Sequence, residues 1–61
     1  MDSMISLYEI YCYNCGVELT YDLVTFDYQL VDIVTKEVFY VGINEICDTA
    51  SKMKKSREEK I

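Results

Sequence analysis

Three cysteines are the residues best suited to chemistry in this 61-residue chain. Cys12 and Cys15 stand three positions apart and Gly16 follows them. Asn14-Cys15-Gly16 suits a tight turn, because asparagine tolerates positive φ and glycine adopts it freely. Two thiols on such a turn can face one metal ion, and zinc is the metal that sulfur ligands at this spacing favour. Cys47 falls where a helix is expected to start, and the helix dipole there favours a thiolate. Cys12, Cys15 and Cys47 are therefore the candidate metal ligands, and Asp48 or a thiol from a second copy would have to complete the set. The competing reading needs no fourth donor: reduced, partly buried cysteines serve as small hydrophobes. That reading is preferred, with no resident cofactor and zinc as the one alternative. A thioredoxin-type redox role would need a βαβ context that the sequence lacks.

The segments Tyr11-Cys12-Tyr13-Asn14-Cys15-Gly16 and Ile46-Cys47-Asp48-Thr49-Ala50 resemble the two ends of zinc-ribbon and treble-clef modules. The resemblance is confined to these segments, and Ala50 stands where such modules carry a fourth cysteine. It implies a degenerate zinc-finger-like module in transcription. A second resemblance rests on Val41-Gly42-Ile43-Asn44-Glu45-Ile46. It is to small phage-encoded accessory proteins, in which a hairpin precedes a helical DNA-binding segment.

Catalysis finds little to work with. The chain has no histidine, the usual general base near neutral pH. It has no glycine-rich phosphate loop. Its carboxylates are numerous, but nothing in the sequence sets two of them in a cleft. An enzyme is the least favoured class.

Tyrosine and acid form the other constellation. Six tyrosines are many for this length, and tyrosine is favoured at interfaces because a large apolar ring carries a polar handle. Glu18, Asp22, Asp27, Asp32 and Glu37 recur among them at steps of four or five. The expected partner-binding residues are Asp22, Asp27, Tyr28, Asp32 and Tyr40, on an acidic surface that would meet a basic surface of a protein partner. A regular array of such carboxylates could imitate nucleic-acid phosphates.

Charge divides along the chain, which carries a net −5. Residues 1–50 hold all but two of the acids and a single base, Lys36, whereas Lys52, Lys54, Lys55, Arg57 and Lys60 gather at the end. An acidic body repels phosphate, so nucleic-acid binding through the basic end is the less favoured alternative. No run approaches the roughly 18 apolar residues of a membrane span. The first residues carry no lysine or arginine and Glu9 interrupts their apolar run, unlike a secretion signal. An odd number of cysteines without such a signal points to a reducing, cytoplasmic setting, the host cytoplasm if a phage encodes the chain.

The elements that must position these residues are read as follows. Met4 to Tyr13, rich in isoleucine, leucine and tyrosine, predicts a strand. Leu19 to Val34 is open. Leu19, Leu23, Phe26, Leu30 and Ile33 would form one helical stripe, yet β-branched and aromatic residues dominate and favour strand. Leu30 to Val41 predicts a hairpin around Thr35-Lys36-Glu37. Asn44 is the expected N-cap of a last helix with Ile43, Ile46, Cys47, Ala50 and Met53 inward. The sum is an α+β domain: a small antiparallel sheet of three or four strands with one C-terminal helix. It would be a single domain over residues 1–55, with 56–61 a frayed tail, and it shows no repeat, linker or low-complexity segment. A domain of about 60 residues buries only roughly 60% of its unfolded surface. A homodimer is expected to supplement so small a core.

Overall fold

A computed structural model describes residues 3–59. The expected sheet and C-terminal helix are both present, and a second helix precedes them. Helix α1 spans Ser3–Asn14, strand β1 Val17–Asp22, strand β2 Asp27–Asp32 and strand β3 Val38–Val41, and helix α2 spans Ile46–Glu59. The three strands form one antiparallel sheet in the order β1-β2-β3.

The segment expected as a first strand is the helix α1. Tyr8, Cys12 and Cys15 recur at steps of four and three, bringing one stripe against the core. The rest of the helix is nearly as apolar: Leu7, Ile10, Tyr11 and Tyr13 are all exposed. Without a polar face, no helical period shows in the sequence, and the tyrosines and isoleucines read as strand formers. Gly16 then stops the helix at φ 75°, the left-handed conformation that caps helix ends.

Residues 19–34 resolve into most of β1, a turn and β2. Val17 pairs with Asp32, Leu19 with Leu30 and Tyr21 with Tyr28; Leu30 pairs in turn with Phe39 and Tyr28 with Val41. Residues directly opposite share a face, so all of these point to the side where the helices lie. Val17, Leu19 and Leu30 meet Cys12 and Cys15 of α1 and Ile46, Ala50 and Met53 of α2 in one core. Tyr21 and Tyr28 add an edge-to-face ring pair, centroids 4.9 Å apart.

The two hairpin turns are copies, a repeat that sequence reading misses. Asp22-Leu23-Val24-Thr25-Phe26-Asp27 and Asp32-Ile33-Val34-Thr35-Lys36-Glu37 share an aspartate, a branched aliphatic, Val-Thr, a left-handed residue and an acid. In each, the aspartate carbonyl accepts the N–H four residues on at 2.8 Å, from Phe26 and from Lys36. The aspartate side chain accepts two more: Asp22 Oδ1 from Val24 and Thr25 N–H at 2.8 and 3.3 Å, Asp32 Oδ1 from Val34 and Thr35 at 2.8 and 3.0 Å. Phe26 and Lys36 take φ 63° and 70°, the position usually given to glycine or asparagine. Lacking either residue, the first turn has Asp22 as its conventional turn signal.

Helix α2 begins later and ends later than expected. A 3-10 turn, Ile43–Glu45, precedes it; Glu45 Oε1 accepts the Gly42 N–H at 3.4 Å, and Asn44 lies inside the turn instead of capping the helix. At the other end the helix continues through Glu59, so Ser56 to Glu59 are helical rather than a frayed tail. Lys60 and Ile61, expected to fray with them, lie outside the described residues. No helix among the described residues is long and apolar enough to cross a membrane.

Candidate functional site

The Cys-x-x-Cys segment is the last turn and cap of α1. Cys12 and Cys15 are both buried in the core, and Cys47, half-buried, opens α2. All three thiols are free. Burial pushes the Cys12 thiol up to about 11, and the neighbouring Cys47 and Cys15 add to the shift. Cys15 and Cys47 both neighbour Cys12, and among the described residues no group of three His, Cys, Asp or Glu is placed to hold a metal ion.

What closes this end of the molecule is a cation. Arg57 donates from Nη2 to the carbonyls of Cys15 and Gly16 at 2.8 and 3.2 Å, and from Nε and Nη2 to Asp32 Oδ2 at 3.2 and 3.1 Å. The last carbonyls of a helix lack internal partners, and here a guanidinium supplies them. One side chain thus joins the end of α1, the end of β2 and the last turns of α2. Gly16 leaves the space: a Cβ there would lie 2.9 Å from Arg57 Nη2.

Asp32, expected on the partner-binding surface, is instead buried at 1% exposure. It faces inward because it shares the Val17 side of the sheet. Burial raises its carboxyl pKa, but the Thr35 N–H, the Arg57 guanidinium and the Val34 N–H together outweigh burial and hold it below the ordinary 3.8. Arg57 itself escapes the sequence reading, which assigns it to a basic tail. One signal could have found it: Ile46, Ala50, Met53 and Arg57 continue a single helical stripe at steps of four, three and four.

The outer face of the sheet carries the remaining candidates. Glu18, Val31 and Val38 form one cross-strand row, Thr20, Gln29 and Tyr40 the next, and Asp22 with Asp27 the last. The middle row is hydrogen-bonded across all three strands: Thr20 Oγ1 donates to Gln29 Oε1 at 3.0 Å, and Gln29 Nε2 donates to the Tyr40 hydroxyl at 3.2 Å. That chain holds Tyr40 in place while leaving it 52% exposed. Asp22, Asp27 and Tyr40 thus share one face. Tyr28 does not: it lies half-buried on the helix side, packed against the core. With Asp32 turned inward and Glu37 in the second turn, the evenly stepped acids do not form one array.

Family models, curated proteins and solved structures yield no match to this chain.

Proposed function

We propose that this protein is a small non-enzymatic regulator or inhibitor that binds a protein partner through the outer face of its sheet. The observation that carries this reading is the one-sided coverage of the sheet. Both helices contribute to a core on the Val17-Leu19-Leu30 side, and the opposite face presents Tyr40 and Val38 beside Glu18, Asp22 and Asp27. A sheet face that carries a hydrogen-bonded, half-exposed tyrosine on its edge strand suits protein recognition: the ring supplies buried area at low entropic cost, and the neighbouring acids steer a basic partner. The acids on this face oppose a phosphate backbone.

The test compares proteins captured by the wild type with those captured by three surface variants. Asp22→Lys with Asp27→Lys, and separately Tyr40→Ala, should each abolish capture of the specific partner. Lys54→Glu with Lys55→Glu on α2 should leave it intact. Capture that survives both outer-face changes and fails with the lysine change would refute the reading.

A further inference from the structure

A second surface lies at the edge of the sheet. Strand β1 has β2 on one side and, among the described residues, no strand on the other. The Gly16 carbonyl accepts the Ile33 N–H at 3.0 Å, which fixes the phase of the ladder. Gly16 continues the register beyond the Val17–Asp32 pair, so Glu18, Thr20 and Asp22 exchange bonds with β2. Val17, Leu19 and Tyr21 then turn their N–H and C=O groups to the open edge. Among the described residues, those groups receive no backbone bond from a helix or loop. Beside this edge runs a groove of about 690 Å³, with Glu9, Ile10 and Tyr13 of α1 as one wall and Val17, Glu18 and Leu19 of β1 as the other. Ile10 and Tyr13 are 57% and 73% exposed, so the helix wall offers apolar surface left uncovered among the described residues.

We propose that this groove binds an extended segment of a partner protein, which adds as a fourth strand along β1. Its apolar side chains at alternate positions lie against Ile10 and Tyr13, and lysine or arginine between them lies on the outer face beside Glu18. Strand addition obtains affinity from main-chain bonds and specificity from pockets for every second side chain. Open edge groups and a helix wall supply the two requirements. Charge selects the occupant: the carboxylic residues lining the groove are Glu9 and Glu18, and no lysine or arginine lines it. Glu18 and Asp22 are likewise the only charged residues of β1. A second copy of β1 would bring further acids to an edge that already carries Glu18 and Asp22, whereas a basic segment makes opposite-charge pairs. The other edge is a poorer platform, since β3 has four residues to the six of β1. This proposal stands apart from the outer-face reading.

The experiment titrates isotope-labelled protein with a capped octapeptide alternating valine and lysine, followed by amide chemical shifts. Saturable shifts at Val17, Leu19 and Tyr21 are expected. N-methylation of the valines should weaken binding at least tenfold, because those amides would face β1. A valine–glutamate octapeptide should bind at least tenfold more weakly, and Glu9→Lys with Glu18→Lys should reverse that preference. Ile10→Ser, at an exposed position, should weaken binding, and Tyr40→Ala should not. Absence of saturable shifts at the three amides, indifference to N-methylation, or loss with Tyr40→Ala would each overturn the proposal. Movement of the same amides on diluting the protein alone would also overturn it, by showing that a second copy occupies the edge.

Discussion

Arg57 Nη2 stands 3.1 Å from Asp32 Oδ2, and the carboxylate it meets is almost entirely withdrawn from water. Such a pair is costly to break from one side, because the remaining charge stays buried: removing one partner costs about 3–5 kcal/mol. The copied turn provides an internal reference. Asp22 makes the same two turn hydrogen bonds near the surface and has no arginine. Asp22→Ala should therefore cost about 1 kcal/mol, and Asp32→Ala and Arg57→Met at least about 3 kcal/mol each. Urea unfolding of the three variants checks the order. Equal losses at Asp22 and Asp32 would show that the turn bonds alone matter.

The same pair sets an acid limit. The Asp32 carboxyl is held below its ordinary value of 3.8 in the folded chain. A depressed carboxyl contributes stability that is fully present above the unfolded pKa and disappears as pH falls through the folded one. Stability should therefore drop below about pH 4. Asp32→Asn, less stable at neutral pH, should show a shallower acid dependence. Thermal midpoints between pH 2 and 6, as a rough span for an aspartate transition, would reveal it; parallel curves for the two proteins would exclude Asp32 as the source.

Gly16 answers to two constraints at once. Alanine there would adopt an unfavourable left-handed conformation, at about 1–2 kcal/mol, and its Cβ would press on the Arg57 guanidinium. Gly16→Ala should thus cost more in the wild type than in an Arg57→Met background, where only the backbone strain remains. A double-mutant cycle reads the difference, and strict additivity would deny the contact.

Thiol reactivity should separate the three cysteines. Cys12 is buried with a pKa near 11, whereas Cys47 is half-exposed. Iodoacetamide at pH 8 should modify Cys47 first and leave Cys12 protected until the protein unfolds. Peptide mapping by mass spectrometry gives the order. Rapid modification of Cys12 in the native state would contradict its burial.

The β2–β3 hairpin and the inward stripe of α2 are legible in the sequence, because alternation and helical spacing are strong there. The first helix is not, since its exposed side carries Leu7, Ile10, Tyr11 and Tyr13 among few polar residues and so blurs the period. The Asp22 turn hides for a different reason: a phenylalanine takes the left-handed position, and only comparison with the segment ten residues later exposes it. Of the expected binding residues, Asp22, Asp27 and Tyr40 reach one face because they occupy outward register positions. Tyr28 and Asp32 fall on the inward set, and a one-residue difference in strand phase, invisible without the register, decides which side each takes.

Arg57 completes the cap of α1 across 41 and 42 positions of sequence. During synthesis the first helix is therefore made long before the group that satisfies its terminal carbonyls. Until Arg57 is available, the carbonyls of Cys15 and Gly16 lack its guanidinium, and α1 lacks the Ile46-Ala50-Met53 surface against which it packs. Contacts of such separation are the slow ones to form. Closure of this end of the fold therefore rests on some of its most distant contacts, in which one arginine joins the first helix, the sheet and the last helix.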